Sequence, residues 1–590
     1  MEQEQVKALP IINCHTHIFT GDHVPPYLAK TFLPWPLYYL ASVSTVIRVF
    51  RFWYNGPYTW QFKIWYRAMK KFLYWAKMTL SRNNILRVIS FFLGLFLTIY
   101  VFYILFEWLS KLQQPDETIE GRMLKIKNKL ESYGILNIPE ALFSKLLLII
   151  LLIVFFKPGR NLIWFVFKKV WSFLGVLPGP KSKELAKRYL HIGRFAFYKQ
   201  QARIFGQLTN QYPKGTGFIV LPMDMEYMDA GKLGRSFSYL QQMEGLAAIK
   251  QKENYRANFF PFVFAEPRRI AAEGNEHFKY QIQEGKIILQ DCFIKKYIED
   301  YHFNGFKIYP ALGYYPFDEE LLPLWKYAAD NALPILTHCI RGTIYYRGVK
   351  KKEWDKHPVF EQPCGKGKYE PMLLMETKNS DFCNNFTHPL NYLCLLEEQL
   401  LRKVVKKAKS QQIRDLFGYV DADTPLKYDL RHLKLCFGHF GGDDEWNRFL
   451  ELDRDNFANQ LVRNPSNGIT FLTSKGGQLT PGKLEQIWRY ADWYSIICSQ
   501  MLQYPNVYAD VSYIIHNPRI QPLLNQTLLN DNLKNKVLFG TDFYVVRNRK
   551  SEKNILADIG IDITENDFDQ IAKANPRSFL YNKLHGAVSI

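Results

Sequence analysis

Eight short apolar runs, separated for the most part by stretches of helical periodicity, predict an α/β protein: a (β/α)8 TIM barrel carrying a large α-helical, transmembrane insertion after its first strand. Two further features support that reading. The first run leads into the pair His15 and His17, and the gap before the second run contains 19 consecutive uncharged residues, 88–106. At 590 residues the chain exceeds one ordinary domain and has ample length for a large core. The expected division is 1–20 for the first strand, 21–183 for the insertion and 184–590 for the remainder of the barrel.

The first run, 11–13, is followed by Cys14, His15, Thr16 and His17. Residues i and i+2 of a strand share a face, so His15 and His17 can present two imidazoles to one metal ion. Two ligands are not a site, and two histidines on an edge strand are the plainer reading. The rest of the chain must supply the missing ligands at other strand ends.

The insertion explains the charge. A net charge of +21 suggests nucleic acid, but residues 23–106 hold ten Lys or Arg and no acidic residue, and residues 157–203 hold eleven against Glu184 alone. Two blocks thus account for +20, and no nucleic-acid-binding motif accompanies them, so no nucleic-acid partner is expected. Residues 88–106 are long enough as a helix to cross a bilayer. The second apolar run, 146–156, is short, but a chain that crosses once must return to complete the barrel. Spans are therefore expected over about 85–107 and 139–157. The segment between them, 107–140, carries five basic and six acidic residues, whereas both outer flanks are basic. Positive charge stays inside, so the expectation is an integral membrane protein with its barrel on the cytoplasmic side and membrane lipid as a partner. Aromatic residues such as Trp65, Trp75 and Trp164, mixed with Lys and Arg, fit an interfacial position. A soluble helical hairpin is the alternative. Eight cysteines without CxxC pairs, and a polar start, suggest a reducing compartment and no signal peptide.

Beyond the insertion, helical spacing predicts a helix over 184–210. The remaining strands are expected at 218–221, 259–264, 305–309, 334–336, 433–437, 507–509 and 537–539, with helices such as 317–332 and 484–503 between them. In such a barrel chemistry sits at the carboxyl ends of the strands. There His338, His439 and Asp542 join the His15 and His17 pair. Each has a bland reading, since a lone His is more often a core residue and a lone Asp more often a helix cap. Their joint occurrence on the first, fifth, sixth and eighth strands points to a metal site.

The words around them carry a resemblance. NCHTHIF (13–19), PFVFAEPRR (261–269), GFKIYP (305–310), LPILTHC (333–339), HPLNY (388–392), CFGHFGG (436–442), VLFGTDF (537–543) and ITENDFDQIAKANPRSFL (563–580) are similar to the amidohydrolase superfamily, in the branch that contains aminocarboxymuconate-semialdehyde decarboxylase. The resemblance implies one divalent ion, Zn2+ in preference to Mn2+ or Fe2+, held by His15, His17, His338 and Asp542, with His439 beside it as a catalytic residue and Asp542 shared between ligand and base. Neutral imidazoles with a carboxylate suit zinc, and an open position lets the ion activate water. Lys307 corresponds to a place where other branches bridge two metals; here it is expected to be structural or anion-binding. Arg341 and Arg268 could face an acidic group of a small-molecule substrate. Residues 341–386 form a lid-like insertion at the catalytic face, where long loops set specificity.

The expected function is that of a membrane-anchored, metal-dependent hydrolase acting on a C–N or ester-like bond of a small molecule. A non-hydrolytic decarboxylase of the same fold is the first alternative. A sensor, in which the barrel regulates a membrane-acting helical hairpin that works by oligomerising, as a homo-oligomer, is the second.

Overall fold

The computed structural model describes residues 6, 8–30, 37–40, 42–48, 63–110, 125–126, 128–134, 139, 141–155, 161, 198, 200–234, 238–342, 344–377, 379–451, 456–472, 474–475, 478–479 and 483–581. The chain divides into two units: Met1–Arg51 with Glu184–Ile590, and Phe52–Lys183.

The first unit is mixed α/β and built on parallel sheets. Its parallel strands are β1 (Ile12–Thr16), β2 (Gly217–Val220), β3 (Phe259–Pro261), β4 (Val263–Phe264), β5 (Phe306–Ile308), β6 (Ile335–His338), β7 (Leu435–Gly438), β8 (Val507–Asp510) and β9 (Val537–Leu538). All eight apolar runs expected to be strands overlap one, the run 259–264 being divided into β3 and β4 at Phe262. Pairing follows chain order, β1 to β3 in one sheet and β4 to β9 in the other. The Phe262 N–H donates to the Val220 carbonyl at 3.0 Å and the Val263 N–H to the Gly305 carbonyl at 2.9 Å, so the two sheets meet there. Hydrogen bonds also run from the end of the series back to its start: the Cys14 N–H donates to the Phe539 carbonyl and the Asp542 N–H to the His15 carbonyl, both at 2.8 Å.

Burial on both faces is why these runs are apolar throughout and do not alternate. Ile219, Leu336, Cys436 and Leu538 belong to one small buried cluster, whereas their chain neighbours Phe218, Ile335, Phe437 and Val537 belong to the larger one. The small cluster is the inner layer of the strands, and the larger one packs them against the helices.

One irregularity in β1 positions the site. Asn13 pairs with Phe218 and Thr16 with Val220, three steps along one strand against two along the other. Such an extra residue reverses the alternation of faces. Ile12 and Cys14 lie in the inner cluster, and past the irregularity His15 and His17 turn to that same side.

Several expectations change in detail. The segment 484–503 forms two helices, Lys483–Tyr490 and Trp493–Gln503, because Asp492 caps the second by accepting the Ser495 N–H at 2.6 Å. Of the helix expected over 184–210, Gln201–Thr209 is present, and 184–197 lie outside the described residues. The segment 341–386 contains an antiparallel hairpin, Lys356–Gly365 with Lys368–Leu373. The first unit extends to residue 51, beyond the boundary expected at residue 20: Val24, Leu28, Val43 and Ile47 are buried in its core cluster.

In the second unit, Ile64–Arg82, Asn84–Ser110 and Leu142–Phe155 are helices. Among the described residues one stretch, Asn84–Leu105, has the length and composition to cross a membrane, with 22 residues and a mean hydropathy of 2.4 over an 18-residue window. Leu142–Phe155 has 14 residues, short of the roughly 20 a span needs. Trp35, Trp53, Trp60, Trp164 and Trp171, and most of the linker between the expected spans, lie outside the described residues.

Candidate metal centre

The carboxyl ends of β1, β8 and β9 bring together the groups that matter. His17 Nδ1 lies 2.8 Å from the Leu221 carbonyl oxygen. A carbonyl only accepts, so Nδ1 carries the proton and Nε2 offers a lone pair. His15 is held alike: its Nδ1 is 2.9 Å from Asp510 Oδ2 and 3.0 Å from Ser512 Oγ. With Nδ1–H donated to the carboxylate, His15 Nε2 is a lone pair too, and it is buried without a hydrogen-bond partner among the described residues. Asp542 Oδ1 stands 4.0 Å from His15 Nε2 and 3.4 Å from His17 Nε2. Ligand atoms of the three residues lie within 4.8 Å of one another. Two imidazoles and a carboxylate fit a divalent ion, and an ion would satisfy the orphaned His15 nitrogen.

Electrostatics favour the same state. Burial first, then the Lys307 charge, pushes the imidazoles down, His15 well below its ordinary value and His17 to about 3. Both are therefore neutral at neutral pH, the form that ligation requires.

The backbone is shaped to let these groups meet. Asp542 has a φ of 62°, a left-handed conformation that non-glycine residues seldom adopt. Gly540 passes close to β1: a Cβ there would lie 2.9 Å from His15 Cβ and 3.1 Å from Ser512 Cβ. Asn13 fastens the two strand ends. Its Oδ1 accepts the N–H groups of His15 and Thr541, both at 3.2 Å, and its Nδ2 donates to Tyr212 and Thr541 hydroxyls at 2.8 Å each.

His338, expected as the fourth ligand, is not in the group of three. Its Nδ1 is 3.1 Å from His439 Nε2, and its ring stacks on Tyr309 at 3.7 Å. His439 Nδ1 is 3.2 Å from the Ser512 carbonyl, which makes Nδ1 a donor and leaves Nε2 to accept from His338. By the same logic His338 Nε2 is an acceptor. His439 stands beside the centre, its ring 4.6 Å from that of His15, and burial pushes its imidazole well below the ordinary value. It also forms a second ligand-capable group with His15 and Asp510.

Three cations were expected near the substrate. Lys307 is fully buried, and its Nζ has no hydrogen-bond partner among the described residues. Burial lowers it to about 8 against the pull of Asp510 and Asp542. Arg341 lines the cavity above the histidines but pairs with Glu445 at 3.0 Å. Arg268 does not line it: the guanidinium grips Glu266 at 2.6 and 2.8 Å and donates to the Tyr227 carbonyl. Its residue type suggested anion recognition, but a buried neighbouring carboxylate already uses its fork.

Asp510 and Ser512 were missed in the sequence. Asp510 closes the seventh strand as His439 closes the sixth, and that position was the available signal. The cavity measures about 300 Å³ and is lined at its reactive end by His17, His338, His439 and Asp542.

No family model matches the chain, and no curated protein matches it. Among solved structures, an uncharacterised TIM-barrel protein of Bordetella bronchiseptica is 10% identical, with a TM-score of 0.31 over 64% of this chain and 82% of that one. An amidohydrolase of Mycobacterium avium subsp. paratuberculosis K-10 is 12% identical, with a TM-score of 0.28 over 65% and 75%. Likenesses this remote leave the functional reading to the geometry of the site itself.

Proposed function

We propose that the chain is a membrane-anchored, metal-dependent hydrolase on a closed (β/α)8 barrel, cleaving a C–N or ester-like bond of a small molecule. Parallel pairing in chain order, with hydrogen bonds from the last strand to the first, supports the barrel. One observation carries the chemistry: the buried, unpartnered His15 Nε2 faces Asp542 beside the lone pair of His17. A divalent ion held by these residues, zinc by the donor set, would polarise a substrate oxygen and make water acidic enough to attack.

The residues around it have separable tasks. Asp510 and the Leu221 carbonyl fix the tautomer and aim of His15 and His17. Asp542 offers a carboxylate oxygen able to ligate or take a proton. His439 and His338 form a neutral relay in which His338 Nδ1 donates to His439 Nε2, so a proton arriving at the pair has a place to go. Lys307 supplies a buried positive charge below the centre that favours anionic character there.

Elemental analysis of detergent-purified protein tests this. About one divalent ion per chain is expected, lost in His15→Ala and Asp542→Ala, with affinity about 10- to 100-fold weaker in Asp510→Asn. Two ions would make Lys307 or the second ligand group part of the site. No bound ion, even after reconstitution with zinc, manganese or iron, would sink the reading.

The anchoring rests on Asn84–Leu105 and on the basic helix Ile64–Arg82 before it. That helix carries Arg67, Lys70, Lys71, Lys77 and Arg82 and no acidic residue, with Trp65, Phe72 and Trp75 exposed. Apolar length preceded by charge of one sign suits a bilayer with the basic flank, and so the barrel, on the cytoplasmic side.

A further inference from the structure

Of the three cations expected to receive an acidic substrate, the two arginines are spent and the buried Lys307 is absent from the cavity lining. Arg268 is bound to Glu266 and absent from the cavity, and Arg341 is paired with Glu445. What the cavity offers instead is apolar. Val24, Leu28, Met223 and Met225 line it and are at most 6% exposed, while Phe19 and Ile344 add further apolar surface. Of the charged lining residues besides Asp542, Arg341, Asp444 and Arg549 are exposed, which puts them at the solvent end, Asp443 is half-buried, and the buried Glu445 is bound to Arg341.

We propose that the substrate of this centre is a neutral amide or ester bearing an unbranched or aryl apolar arm, which lies against Val24, Leu28, Met223 and Met225 while the scissile group meets the histidines. The proposal rests on the hydrolase reading and deepens it. Three physical points converge. Buried apolar side chains gain nothing from a charged arm, which would lose its hydration without a partner. Arg341 is paired with Glu445 and Arg549 is exposed at the mouth, so neither sets a cationic fork at the inner end. A volume of about 300 Å³ is at the small end of ligand sites, so the arm is a short one. Val24 and Leu28 come from the segment directly after β1, so residues the sequence placed in the insertion help to set specificity.

The step is ordinary acyl transfer to water. Water oxygen bonds to the acyl carbon, the C–N or C–O bond breaks, one water proton goes to the leaving amine or alcohol, and no oxidant or reductant is involved.

The test is a titration of the purified full-length protein with straight-chain hydroxamic acids from acetyl to octanoyl, followed by calorimetry, with zinc loaded and with zinc removed. Expected is tighter binding with zinc at every length, and about a fourfold gain per added methylene until the cavity fills. Leu28→Asn and Met225→Gln should each flatten the gain while zinc content stays that of the wild type. Two substitutions at separate positions guard against one that fails to fold. Zinc-dependent binding without a gain per methylene, or tighter binding of a chain ending in carboxylate, would overturn the apolar arm and spare the hydrolase. A gain per methylene without any effect of zinc would support the arm and sink the metal reading. No binding in either state would overturn both.

Discussion

His357 illustrates how a histidine far from the chemistry is read by its partners. Its Nδ1 accepts the N–H groups of Val359 and Phe360 at 3.1 and 2.8 Å, and its Nε2 lies 3.0 Å from Asn391 Oδ1. The ring stacks on Phe360. Such a residue shapes a loop. Burial lowers it to about 3 from 6.5. Between those values the unfolded chain takes up a proton that the folded chain refuses, so stability falls as pH drops from about 6.5 toward 3 and is fully present above 6.5. Going from pH 7 to pH 5 should cost about 2 kcal/mol from this group alone. Thermal melts of wild type and His357→Gln across that range check the sign: the variant, starting from lower stability, should show a shallower acid slope, and an equal slope would contradict it.

At the scale of elements, the site depends on how closely strand ends approach. The extra residue between Asn13 and Thr16 turns His15 and His17 inward, and Gly540 leaves room for His15 as the chain leaves β9. A methyl at Gly540 would stand 2.9 Å from His15 Cβ, which has no flexible end to move away. Gly540→Ala should therefore destabilise by about 1–3 kcal/mol and weaken metal binding at least tenfold, read as a lower melting temperature together with lower zinc retention against a chelator. Retention equal to wild type would show that the turn after β9 has slack. Asp510 works across the same gap from β8, which is why three strand ends must be in register before one ion is held.

For the whole molecule the question is what the second unit does for the first. Replacing residues 80–160 with a short linker should move the protein from the membrane pellet to the soluble fraction while metal content stays at the wild-type level, because the ligands and the cavity lining lie outside that segment. Release of wild type by carbonate washing would replace the transmembrane reading with a peripheral one. Loss of metal on replacement would show that the insertion is needed to form the site.

The sequence by itself determined the strands and most of the candidate ligand set. Apolar runs buried on both faces are visible without a structure, and His15, His17 and Asp542 announce themselves by residue type at strand ends. It could not determine direction or commitment. The i, i+2 spacing places two histidines on one face, but only the register shift against β2 decides which face. Arg268 reads as an anion receptor until Glu266 is seen to occupy its guanidinium. Asp510 stands at a strand end in the sequence, but its task is seen only when His15, 495 positions away, is found at 2.9 Å. Residue type and periodicity are local properties of a chain, whereas pairing, register and the partner a charge has already taken are set by residues distant in sequence.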